Sequence, residues 1–92
     1  MKEIFDYIDF NRERFVQELL PLVAQPSIST TGEGMFECAE MLRDHMEQIH
    51  IEARLLETES FPVVYGEVNN PSAQKTLLLL CHYDVVPVVF VN

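Results

Sequence analysis

The sequence predicts an α/β fold that opens with two helices and continues into three strands. Three observations carry this reading. Apolar residues recur at helical spacing through the first half of the chain. Short apolar runs bounded by turn residues fill the second half. The last of these runs is apolar on both faces, as suits a central strand covered on either side. Helices that lead into a buried final strand read as the opening of an α/β domain.

The first helical pattern spans residues 4–24, with Ile4, Phe5, Ile8, Phe15, Val16, Leu19, Leu20 and Val23 at helical intervals and charges between them. Pro21 falls inside it and is expected to kink the helix, because proline lacks the amide donor and crowds the carbonyl of Gln17. Pro26 and the polar stretch SISTTGEG then end the helix and form a loop. A second helix is predicted over residues 35–49, with Phe36, Ala39, Leu42, Met46 and Ile49 on one face. IEARLLE (residues 51–57) and FPVVYGEV (61–68) follow as strands, joined by the hairpin-length link TES. The turn cluster NNPSAQ precedes the third strand, KTLLLLCHYDVV, over residues 75–86. There is no internal repeat and no low-complexity segment.

Composition narrows the function. The 92 residues make one domain at most, residues 1–92. A chain this short buries roughly two-thirds of its unfolded surface, so its stability margin is thin. The apolar fraction of 48 % is that of a globular protein. A net charge of −9 argues against a nucleic-acid partner, since nothing here neutralises a row of phosphates. That charge is spread along the chain, which reads as solubility rather than as an acidic binding surface. Two well-separated cysteines, Cys38 and Cys81, form no disulfide framework and fit a reduced, cytoplasmic setting. The N-terminus has no signal-peptide core, and the apolar run at 85–91 is far shorter than the roughly 18 residues of a membrane span. The expectation is a soluble, intracellular protein without a membrane partner.

The chemistry is concentrated at the end of the third run. Residues two apart in a strand point to the same side, so His82 and Asp84 are expected to project together, about 7 Å apart at Cα. Ligands bind at the carboxyl ends of strands in open α/β sheets. Imidazole is a common zinc ligand, and its second ring nitrogen is normally held by a partner such as a carboxylate. Against this stands the bland reading: a lone strand histidine is usually a core or edge residue, and His-x-Asp is common by chance. The leucines before the pair and VVP after it favour the metal reading by fixing the pair at a strand-to-loop exit.

Other residues offer less. His45 and His50 do not share a helix face, and HMEQIH is not the His-Glu-x-x-His zinc helix, so both read as exposed positions. Cys38 reads as a core or half-buried helix residue. Cys81 alternates to the face opposite His82 and reads as a small core residue. Ser27 and Ser29 lie in a loop without a credible partner base. Gly32 and Gly34 do not form a phosphate loop.

LLLLCHYDVVP resembles the first metal motif of the zinc-dependent exopeptidase and deacylase family that includes carboxypeptidase G, carnosine dipeptidase, aminoacylase and succinyl-diaminopimelate desuccinylase. Upstream, ELLPLVAQPSIS is similar to that family's first helix and Pro-Ser loop. AEMLRDHMEQIHIEARLL is similar to its second helix and first strand, and FPVVYGEV to its second strand. The resemblance covers nearly all of residues 10–87 in order.

It implies the opening of a three-layer α/β/α catalytic domain, in which His82 binds one of two zinc ions and Asp84 clamps it. The implied reaction is hydrolysis of a peptide or acyl-amino-acid amide bond in a small substrate, with a glutamate activating a zinc-bridged water. The chain departs from the family at Cys81, where glycine is frequent, and after Pro87, where VVFVN is unlike the usual polar loop. The bridging aspartate, the glutamate base and the remaining ligands lie beyond the matched region. The expectation is therefore an N-terminal fragment of a metallopeptidase, inactive alone, that binds zinc weakly at most and self-associates. The alternative is a truncated, non-catalytic product that binds a partner or persists as a remnant.

Overall fold

The computed structural model describes residues 1–88: three helices followed by a two-stranded antiparallel sheet. The expected first helix is two, α1 (Lys2–Phe10) and α2 (Arg12–Ala24). The interruption falls at Asn11, where φ is −100° and ψ is 12°, and not at Pro21. The Asn11 side chain donates from Nδ2 to the Tyr7 carbonyl at 2.9 Å. Such local bonding competes with the helical ladder. The ladder resumes at once, with Phe15 N donating to Asn11 O at 3.0 Å, and α2 runs through Pro21 to Ala24. Neither helix contains a buried residue.

The third helix, α3 (Met35–Gln48), begins after Gly34 at φ +72°. Any side chain there would collide with the Pro26 carbonyl as well as strain the backbone, so the loop folds back on itself only with glycine at this place. Met35, Cys38 and Ala39 are buried, with Leu42 and Met46 half-buried on the same side. The expected apolar face included Phe36 and Ile49, but these are 55 % and 57 % exposed. Phe36 sits at the rim, where its ring meets Phe61 edge-on at 5.8 Å. The helix closes in a Schellman motif: Ile51 N donates to Met46 O at 2.9 Å and His50 N to Glu47 O at 3.1 Å. His50 supplies the left-handed residue, at φ +66°.

Strands β1 (Glu52–Leu56) and β2 (Val63–Glu67) pair antiparallel, with Ala53 opposite Gly66 and Leu55 opposite Val64. Ala53, Leu55 and Val64 are half-buried while their strand neighbours are exposed, and α3 packs across the pair. Gly66 permits this approach, since a Cβ there would lie 2.8 Å from Met46 Sδ and 3.0 Å from Ile51 Cγ2. The strands are shorter than predicted and the link longer, residues 57–62. Pro62 has no amide to give the ladder, and Thr58 Oγ1 organises the turn by accepting from Ser60 N and donating to Phe61 O.

The predicted third strand does not form among the described residues. Residues 75–84 carry no regular structure, and the leucines at 77–80 are 79–88 % exposed. A strand needs a neighbour for its amides and carbonyls. Among the described residues, hydrogen bonds and bridges join the run to the rest of the chain only near its end, at Tyr83, Asp84 and Val85, the last in a parallel bridge with Ile28. The expected three layers are accordingly two, α3 on one hairpin. Part of the apolar run at 85–91, and VVFVN beyond Val88, lie outside the described residues.

Little surface is hidden. The chain exposes 8432 Å², against about 5,500 Å² for a closed monomer of its mass. Its radius of gyration is 16.2 Å, against about 12 Å for a compact chain of this length. No helix among the described residues is long and apolar enough to cross a membrane.

Candidate functional site

The site is built on the loop between α2 and α3. Ile28 N donates to Glu33 O at 2.9 Å and Gly32 N to Ile28 O at 2.8 Å, closing the loop into a tight turn. Ser27, 4 % exposed, forms its floor, and its carbonyl accepts from Val85 N at 2.8 Å. The segment leading to Val85 is thereby laid against the loop.

Alternation then decides which side chains face where, despite the absence of a formed strand. Tyr83 turns inward, half-buried, and its hydroxyl donates to the Pro62 carbonyl at 2.6 Å. His82 and Asp84 turn outward together, with 3.5 Å between His82 Nδ1 and Asp84 Oδ1. His82 is 89 % exposed and Asp84 39 %. The second carboxylate oxygen of Asp84 accepts a hydrogen bond from Ser29 Oγ at 2.9 Å.

Sequence reasoning gave Ser29 no partner; the structure gives it one 55 positions away. The three side chains do not form a nucleophilic triad. The carboxylate stands between serine and histidine, whereas proton removal from a serine needs the imidazole in the middle. What the arrangement provides is an exposed imidazole backed by an anchored carboxylate.

Two neighbouring groups are perturbed. Burial pushes the Tyr83 phenol up, and the nearby Cys38 and Asp84 charges add to the effect. Burial also pushes the Cys38 thiol up, partly offset by a hydrogen bond with Ser27. Both shifts favour the neutral form of the group. Cys38 is the buried helix residue that its position implied. Cys81, expected in the core, is exposed, because the strand that would have covered its face is not formed.

His45 and His50 are both exposed. Among the described residues no group of three or more His, Cys, Asp or Glu side chains could hold a metal ion. A catalytic zinc site takes about three protein ligands and a structural one four. The His82 imidazole with Asp84 behind it makes one corner of such a site, so this donor set does not hold zinc by itself.

No family model matches the chain, and no solved structure matches it. Among curated proteins it is similar to a Cys-Gly metallodipeptidase of Candida albicans, at 29 % identity over 103 aligned residues. The match takes in 95 % of this chain and 21 % of that enzyme. The chain thus spans about a fifth of the length of the relative it matches, and the likeness is a distant link to a peptidase family.

Proposed function

We propose that this chain is the N-terminal part of a zinc-dependent metallopeptidase catalytic domain, with His82 as one metal ligand and Asp84 as the carboxylate that orients it. The observation that carries the reading is the pair itself: an exposed imidazole 3.5 Å from a carboxylate that is anchored from behind. A metal-binding histidine is normally held by a carboxylate on its other ring nitrogen, and Asp84 stands beside that nitrogen of His82. The metallodipeptidase likeness, running along nearly the whole chain, supports the same assignment. So does the large uncovered apolar surface, which suits a segment that packs against further structure.

The reaction is hydrolysis of a peptide or acyl-amino-acid amide bond, and the substrate a small peptide or acylated amino acid. The remaining metal ligands and the general base come from sequence beyond this segment, and the 92 residues alone are inactive. A chimera tests the reading: this chain replaces the matched fifth of the Candida albicans enzyme. Metal-dependent dipeptide hydrolysis that is lost in H82A supports the assignment. A chimera that keeps both its metal and its activity in H82A removes it.

A further inference from the structure

Among the described residues, three hydrogen bonds tie residues 83–85 to the rest, and they do different things. Val85 N to Ser27 O, 2.8 Å, and Tyr83 Oη to Pro62 O, 2.6 Å, fix the backbone and an inward ring. Only Ser29 Oγ to Asp84 Oδ2, 2.9 Å, acts on the outward carboxylate. That matters because the terminal torsion of an aspartate is broad, so an exposed carboxylate does not by itself keep one oxygen toward a neighbour. With Oδ2 held by Ser29, Oδ1 is the oxygen left facing His82 Nδ1, at 3.5 Å. Ser29 in turn sits in a loop closed by the Ile28–Glu33 backbone bond and bridged to Val85 through Ile28.

We propose that Ser29 is a positioning residue for His82, acting through Asp84: its hydroxyl turns the carboxylate so that Oδ1 selects the Nδ1–H form of the ring and leaves Nε2 as the outward lone pair. Which nitrogen of a neutral imidazole carries the proton is set by the partner of the other. A small ring rotation brings the 3.5 Å separation into hydrogen-bond range. The inference deepens the proposed function, since the outward nitrogen is the one that would meet a metal, but the tautomer itself is a property of this chain without metal.

The test is long-range proton–nitrogen NMR of the His82 ring at about pH 9, in the full chain and its S29A, S29T and S29V variants. The expected result is a predominance of Nδ1–H in the wild type, lost in S29A and S29V and retained in S29T. Threonine and valine share a shape, so their difference isolates the hydroxyl. Persistence of the Nδ1–H form in S29A and S29V, with the Val85 amide signal unmoved, overturns the proposal. If those variants disturb that signal, the wild-type spectrum decides, and a predominance of Nε2–H there overturns it. A zinc-induced shift of His82 Nε2 is read separately. Its absence speaks against the metal role and leaves the tautomer result standing.

Discussion

The phenol of Tyr83 donates to the carbonyl of Pro62 at 2.6 Å, joining residues 21 positions apart. Together with the Val85–Ser27 backbone bond it pins the end of the described chain between the loop before α3 and the entrance to β2. The leucines at 77–80, immediately before, have no such attachment and stand in solvent. The geometry of His82 and Asp84 therefore depends on a short clasp and not on a sheet.

Removing the Tyr83 hydroxyl should loosen that clasp. Y83F is expected to cost about 1 kcal/mol, the usual net value of one hydrogen bond. The Val85 amide should then exchange about 5-fold faster. The pH dependence follows from the raised phenol pKa, caused first by burial and then by Cys38 and Asp84. The fold favours the neutral phenol, so the unfolded chain releases this proton first. The contribution is complete below the ordinary phenol range of about 10 and is lost as pH rises through the raised folded value. Y83F should remove this part of the alkaline loss, while Tyr65, raised through its hydrogen bond to Glu67, keeps its own.

His50 occupies a left-handed position that favours glycine, at φ +66°. The left-handed conformation costs an L-residue about 1–2 kcal/mol, and glycine returns part of this through its larger unfolded-state entropy. H50G should therefore stabilise the end of α3 by about 1 kcal/mol, seen as slower exchange of α3 amides. Unchanged or faster exchange would show that the His50 backbone is not left-handed.

The two thiols should separate cleanly. Cys38 is buried with a raised pKa and Cys81 is exposed. An aromatic disulfide reagent should label Cys81 at once in the native chain and reach Cys38 only when the fold opens, since thiolate fraction and access set the rate. Prompt native labelling of both would contradict the burial of α3 against Ser27.

Uncovered apolar surface should make the chain self-associate. Phe10 is 89 % exposed, Val23 70 % and the leucines at 77–80 at least 79 %. At physiological salt, charges are screened beyond about 8 Å, so the net charge of −9 opposes contact weakly. Light scattering should show oligomers, and the amides at 77–80 should exchange faster than those of α3. A monomer with a cooperative melt and strong protection at 77–80 would overturn this.

How much of this was legible in the sequence depends on the range of the interaction. The helical period of α3 and the alternation of β1 and β2 are local, and both elements were readable, with ends shifted where Pro62 and Thr58 shape the turn. The common side of His82 and Asp84 follows from their spacing of two and was readable for the same reason. The break at Asn11 was missed because proline is the louder signal, although the asparagine side chain is what captures the backbone. The third strand was misread because apolar β-rich composition does not supply a neighbour to pair with. Ser29 was unreadable, since nothing local links it to Asp84, 55 positions on.

The central claim, that this chain offers one metal ligand at His82 and not a complete site, is tested most directly by calorimetric titration with zinc, comparing the wild-type chain with H82A. Binding should be weak, no tighter than an exposed histidine beside a carboxylate gives, and its heat should be lost in H82A. Sub-micromolar binding that requires His82 would contradict it by revealing a self-contained site, and binding indifferent to H82A would remove His82 as the ligand.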